Sequence, residues 1–360
     1  MCEDGGLHTQ TSFRLLVVRL GAMGDILHAL PAVTALRREH PNWVIDWVVE
    51  PRWRAILAAP NAASRGPSMP VVDRLHSVFL RDWRRNPLNL NTIQGIRALR
   101  TALRTARYDA AIDLQGTIRS AIIGRMAGSR RLIGEAEPRE RAARWLFSEP
   151  VVTHGAHVIE QDIELASQVA ADELRHEPPQ LPVDPAAEAW CDQLLASSGT
   201  RPVALINPGA GWGAKRWPVE RYAVVARGLI ERGFRVLVNA GPGEEPMADV
   251  IVKEASSAAI PLATSLDQLI ALTRRVAIFV AGDTGPLHLA CALSRPVVGI
   301  YGPTDPSRNG PYGTRFRVLR SPLSRRDHSR LPDPEAGLLT IQPEEVLRAA
   351  DELLAEEASA

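Results

Sequence analysis

The chain has 360 residues, enough for two domains of ordinary size. It is 45% hydrophobic and 23% charged, the composition of a soluble globular protein, and its net charge of +1 excludes whole-molecule attraction to nucleic acid. No apolar run approaches the roughly 20 residues of a membrane span, so any membrane role is peripheral.

Residues 1–12 are polar and acidic, with no apolar signal core, and read as a disordered tail without secretion. Arg14-Leu-Leu-Val-Val-Arg-Leu20 then reads as a short strand, followed by the turn Gly21-Ala-Met-Gly-Asp25. A helix is expected from Ile26 to about Arg38, with Pro31 near its start, and a second strand over Trp43–Val49. Thr92 to Arg107 has the pattern of a basic amphipathic helix, and Tyr108–Leu114 that of a strand ending in Gln115-Gly116. Glu173–Pro185 holds prolines and charges without an apolar period and is the linker candidate. The pattern then restarts. Val203–Ile206 is a strand entering the glycine-rich loop Asn207–Gly213, and a helix follows over Val219–Arg232. Phe234–Val238 is a strand entering Gly241-Pro-Gly-Glu-Glu245. Val276–Val280 is a strand entering Ala281-Gly-Asp-Thr-Gly-Pro286, and Leu287–Leu293 is helix-like. Pro296–Tyr301 precedes Gly302-Pro-Thr-Asp305, and Pro343–Glu357 is an amphipathic helix.

Alternating strands and helices predict an α/β fold: two doubly wound parallel sheets in tandem. The expected divisions are a domain over 13–180, a second over 186–335, and a C-terminal helix over 340–360 that packs back on the first domain. In such sheets ligands bind beyond the carboxyl ends of the strands, where this chain places its glycine turns. The turn at Gly282–His288 has the features of an anion site. Asp283 or Thr284 can cap the helix, Pro286 suits its first turn, and free N–H groups face outward with His288 beside them. Gly21-Ala-Met-Gly24 lacks the G-x-G-x-x-G spacing of a dinucleotide fingerprint, which disfavours an oxidoreductase, and no P-loop occurs. Cys2, Cys191 and Cys291 are far apart and form no metal or redox spacing.

Arg19-Leu-Gly-Ala-Met-Gly-Asp-Ile-Leu-His-Ala-Leu-Pro31 resembles the opening motif of glycosyltransferase family 9, the ADP-heptose:lipopolysaccharide heptosyltransferases. Lys215-Arg-Trp-Pro218, Gly282–Gly285 with His288, and Tyr301–Asp305 resemble the family's donor-domain motifs in the same order. Trp47-Val-Val-Glu50 and Ile112-Asp-Leu-Gln-Gly116 are similar to its heptosyltransferase I members in particular. The loop Asn207–Gly213 departs from the family's usual polar pair, and Arg320–Gly337 matches no family motif.

The resemblance implies a GT-B fold, two facing Rossmann-like domains with a cleft between them, and inverting transfer from ADP-heptose to the Kdo region of a Kdo-lipid A acceptor. It places the family's catalytic aspartate at Asp25, the base for the acceptor hydroxyl, whose alternative role is a helix N-cap. Lys215, Asp283, Thr284, Gly285 and His288 are expected at the donor diphosphate, Glu244 at ribose hydroxyls, and Gly209 and Gly211 in the donor loop. Gly24, Gln115, Arg119 and the arginines Arg81, Arg84 and Arg85 around Trp83 are expected to bind the anionic acceptor. The later run Arg130, Arg131, Arg139, Arg141 and Arg144 suits the same role or a solvated basic face. No cofactor, metal, nucleic acid or obligate protein partner is implied. The expected place of work is the cytoplasm, at the inner face of the inner membrane. Competing readings are heptosyltransferase II, another nucleotide-sugar transferase of the same fold, and a nucleotide-binding module without catalysis.

Overall fold

A computed structural model describes residues 12–196, 199–327 and 331–358. The first half runs β1 (Arg14–Val18), α1 (Met23–Glu39), β2 (Val44–Val49), β3 (Arg74–Ser77), α2 (Leu80–Arg85), α3 (Leu90–Ala106), β4 (Ala110–Asp113), α4 (Ile118–Met126), β5 (Arg131–Glu135), β6 (Glu149–Val151) and α5 (Val158–Ala170). The second runs α6 (Pro185–Ala196), β7 (Val203–Asn207), α7 (Val219–Glu231), β8 (Arg235–Ala240), α8 (Glu245–Glu254), β9 (Ile260–Ala263), α9 (Leu266–Thr273), β10 (Ile278–Gly282), α10 (Gly285–Ala292), β11 (Val297–Tyr301), α11 (Pro306–Asn309), β12 (Phe316–Arg320) and α12 (Pro343–Ala358).

Each half forms a parallel six-stranded sheet with helices on both faces. The first is ordered β3-β2-β1-β4-β5-β6 and the second β9-β8-β7-β10-β11-β12, the same winding twice. This is the α/β, GT-B arrangement that the sequence predicts. The central strands are buried on both faces, which is why they are continuous apolar runs: Leu15, Leu16, Val17 and Val18 are fully buried, as are Ile278, Phe279 and Val280. The strand order reverses between β1 and β4 and again between β7 and β10, so each sheet opens a crevice at that point.

The halves pack directly. α1 lies against α10, and one apolar cluster runs through Leu27 and Leu30 of α1 to Leu287, Leu289 and Ala290 of α10. Gly24 and Gly285 permit that approach. A Cβ at Gly24 would meet His288 Cδ2 at 2.8 Å, and one at Gly285 would meet Met23 Sδ at 2.7 Å.

The C-terminal helix corrects an expectation. α12 packs on α7, β11 and β12 of the second half, not on the first domain. Its stripe of Val346, Ala349, Ala350 and Leu353 fills the second core. Gly228 of α7 makes room for Leu347, which a Cβ there would meet at 2.5 Å, and Trp217 Nε1 donates to Ile341 O at 3.2 Å. Cys191 and Cys291 are buried free thiols, while Cys2 and the rest of the 1–11 segment lie outside the described residues. Among the described residues no helix is long and apolar enough to cross a membrane.

Candidate active site

The carboxyl ends of both sheets face one cleft of about 1260 Å³. Its first wall is built from the turns after β1 and β4. Asp25, at the third position of α1, accepts a hydrogen bond from the Ala22 N–H at 3.1 Å, and its other oxygen lies 3.5 Å from Arg19 Nη2. It is therefore not the N-cap expected as its alternative role, a place Ala22 holds, but it bonds back to the N-cap N–H and also opens to the cleft, with a side chain 32% exposed. That bond uses one oxygen and leaves the other, beside Arg19, toward the cleft. Arg19 is buried, and its Nε–H donates to Asp25 O at 3.1 Å.

Two buried aspartates also stand on this wall. Asp113 ends β4, where its Oδ1 accepts from the N–H groups of Gln115 at 2.8 Å and Gly116 at 2.9 Å. Asp162 projects from α5. Both are buried, both line the cleft, and the Oδ2 of each has no partner. Burial pushes the Asp113 carboxyl up to about 6, against the N–H groups of Gly116 and Gln115, the nearby Ser120 hydroxyl and the charge of Arg19. Burial pushes Asp162 up to about 7, opposed by Arg19 and reinforced by Asp25, Glu135 and Asp113. One buried arginine thus serves three acids. Gln115 is on the wall as expected, its Oε1 accepting from the Leu20 N–H at 3.1 Å, which ties the two turns together. Gly24 is there too, with the additional duty of admitting the His288 ring.

The opposite wall comes from the second sheet. Lys215 sits on a short 3₁₀ turn after β7, packed over the Trp212 ring at 4.2 Å and paired with Asp283. Asp283 Oδ2 also accepts from Thr304 Oγ1 at 2.6 Å, and Oδ1 lies 3.3 Å from His288 Nε2. Burial alone would raise the Asp283 carboxyl, but His288 and Lys215 outweigh it and hold the group well below its usual range. Asp283 therefore does not cap α10. The N-cap residue is Thr284, and no side chain caps the helix N-terminus by a hydrogen bond, which leaves its N–H groups available to an anion. Gly209, Gly211, Glu244, Thr284, Gly285 and His288 all line this wall. Glu244 accepts from the Gly241 N–H at 3.1 Å, and its carboxylate lies so near Gly209 that a Cβ there would meet it at 2.0 Å.

A histidine pair joins the walls. His28 of α1 approaches His288 Nδ1 through its Nε2 at 3.2 Å. Burial, with His288, His157 and Arg19 nearby, holds His28 well below the ordinary histidine range. A neutral His28 donating to His288 Nδ1 leaves His288 Nε2–H for Asp283, the proton arrangement that satisfies both contacts.

The arginines Arg81, Arg84, Arg85 and Arg119 are not brought to the cleft. They lie exposed on the outer side of the first domain, and the arginines lining the cleft are Arg19, Arg52, Arg139 and Arg308. Also unforeseen was a polar row across the second sheet. Asn239 Nδ2 donates to Asn207 Oδ1 at 2.9 Å, and Thr264 Oγ1 donates to Asn239 Oδ1 at 2.7 Å. An asparagine near the end of two apolar strands is the sequence signal that marks it, since Asn is depleted in strands. The segment Arg320–Gly337, in which no motif was expected, lies within the family match and has a structural task. Ala214 N–H donates to Leu331 O at 3.0 Å and Glu335 N–H to Ala214 O at 3.2 Å, which clamps the turn carrying Lys215.

Residues 96–337 match the model of glycosyltransferase family 9 (heptosyltransferase). The chain is 30% identical over 321 residues to lipopolysaccharide heptosyltransferase 1 of Escherichia coli K12, covering 86% of this chain and 94% of that protein. Its fold matches the structure of E. coli ADP-heptose lps heptosyltransferase II with a TM-score of 0.75 and 26% identity, over 96% of this chain and all of that one. It matches E. coli heptosyltransferase WaaC with ADP at a TM-score of 0.74 and 27% identity, over 95% and 100% of the two chains.

Proposed function

The chain belongs to glycosyltransferase family 9 and is a glycosyltransferase, and we propose that it moves heptose from ADP-heptose to the Kdo region of a lipopolysaccharide inner-core acceptor. The observation that carries this reading is the placement of Asp25 and the Lys215–Asp283–His288 group on opposite walls of one cleft. Asp25 takes the proton of the acceptor hydroxyl as that oxygen bonds to the anomeric carbon. The bond from that carbon to the diphosphate oxygen breaks, and ADP departs with its negative charge. Lys215 and the free N–H groups of α10 meet that charge. Asp283 holds Lys215 and His288 in place, since all its contacts are already with protein. Glu244, with Asn239 and Thr264, offers acceptors and donors to the nucleoside. The lipid-linked acceptor places the enzyme at the cytoplasmic face of the inner membrane.

A heptosyltransferase II-like acceptor is the second reading, supported by the likeness of the fold to the E. coli heptosyltransferase II structure. Purified protein, ADP-heptose and two acceptors separate them. Heptose should pass to a Kdo-terminated acceptor. Transfer only to one already bearing heptose would establish the second reading, and ADP binding with no transfer to either would leave a non-catalytic nucleotide-binding module.

A further inference from the structure

Charge is very unevenly spread in this chain. From Arg81 to Arg131 there are eleven arginines against Asp82, Asp109 and Asp113, a net +8 where the whole chain carries +1. Arg81, Arg84, Arg85, Arg97, Arg100, Arg104, Arg107, Arg119 and Arg125 are all exposed, and none makes an ion pair among the described residues. They belong to one layer. The inner sides of α2, α3, α4 and the 3₁₀ turn Arg141–Leu146 share a single apolar cluster through Trp83, Leu99, Leu103, Ile123 and Ala143. Their outer sides therefore form a continuous surface on the first domain.

Large apolar side chains stand out from that same surface. Leu88 is 89% exposed, Trp145 83%, Leu90 65%, Ile122 43% and Ile118 38%. Exposed aliphatic and indole groups set among unpaired arginines are the composition of a face that enters the headgroup region of an anionic bilayer. Nucleic acid would use the arginines but gives Leu88, Leu90 and Ile122 nothing to bury against. The surface also reaches the cleft. Gly116 and Arg139 line it, Ile118 and Trp145 follow them closely in sequence, and Glu140 ties the two loops by accepting from the Ile118 N–H at 2.8 Å.

We infer that the outer face of α2, α3, α4 and the Arg141–Leu146 turn is a docking surface for an anionic phospholipid bilayer. It holds the cleft mouth against the membrane that presents the acceptor, and in that respect rests on the function proposed above. The test is co-sedimentation of the full chain with vesicles of phosphatidylglycerol and phosphatidylcholine, or of phosphatidylcholine alone, containing no saccharide. Binding should be at least tenfold stronger to the anionic vesicles and should weaken with salt. Leu88→Ser with Trp145→Ser, and separately Arg97→Gln with Arg100→Gln, should each reduce it at least tenfold. Turnover on a lipid-free acceptor should stay unchanged, which also certifies that the variants are folded. Equal binding to both vesicle types, or variants that bind like the parent, would overturn the inference. So would tight binding to duplex DNA lost in the arginine variant and kept in the Leu88 and Trp145 variant. Vesicle binding without transferase activity would remove the proposed function and leave the docking face standing.

Discussion

The two sheets run their strands in the same order, and each opens a crevice beside the strand where that order reverses, yet the two crevices carry opposite chemistry. At the first, three aspartates surround one buried arginine. At the second, carboxylate, lysine, histidine and threonine are fully paired beside an uncapped helix N-terminus, with uncharged asparagines behind. The shared winding fixes where a ligand can lie. The chemistry comes from four or five residues in the turns that leave each sheet, and the proposed function uses that difference, assigning proton acceptance to one side and the diphosphate to the other.

The largest expected effect comes from removing proton acceptance on the first wall alone. Asp25→Asn keeps an oxygen for the Ala22 N–H, so the melting temperature should change little. Turnover should fall on the order of 10²–10⁴-fold, while ADP affinity, which the proposed function assigns to the other wall, should stay unchanged. Near-normal turnover would reduce Asp25 to a cap and erase the division of labour between the walls.

A smaller loss is expected from forcing the walls apart. A methyl group at Gly24 meets His288, which is pinned between His28 and Asp283 and has no room to yield. Gly24→Ala should cost on the order of 10²-fold in kcat, as a misplacement of about 1 Å does, and about 1–3 kcal/mol in stability from overpacking. The measurement is kcat alongside a denaturant titration. Unchanged kcat would show that the separation of the two walls is not critical.

What was legible in the sequence follows burial. The central strands announce themselves because both faces are covered and every position is apolar, as in Val203–Ile206. Edge strands do not: Phe316–Arg320 mixes two arginines with three apolar groups that are not fully buried, and Arg74–Ser77 carries a single large aliphatic. The turns of the site were legible because glycine and proline must interrupt the chain where strands stop. Asp162 was not, since Val158–Ala170 reads as an ordinary charged helix and only its packing against α1 and the first sheet buries that one acid. The arginines around Trp83 illustrate the converse. A cluster in sequence says nothing of which way a helix face turns, and Trp83 turns inward while its neighbours face solvent.

Asp162 also offers the subtlest way to sharpen the contrast between the walls, because it should show in stability before it shows in turnover. In the folded chain its carboxyl is pushed up to about 7 by burial, whereas in an unfolded chain it titrates near 3.9. Between those values the unfolded state has lost a proton that the folded state keeps. Stability must then fall as pH rises from about 4 to about 7, and stay level above, where both states are ionised. Asp113, raised to about 6, adds a slope of the same sign, and the two acids titrate as a coupled pair around Arg19. Asp162→Asn fixes the neutral form. The variant should match the parent near pH 4 and exceed it at pH 8 by on the order of a few kcal/mol, with most of the gain in place by pH 7. Chemical denaturation of both proteins across pH 4 to 8 reads this directly. A difference that does not depend on pH would mean that Asp162 is as well solvated or as well paired as the acids of the opposite wall. The carboxylate cluster would then be an ordinary ion-pair network and not a strained, proton-holding one.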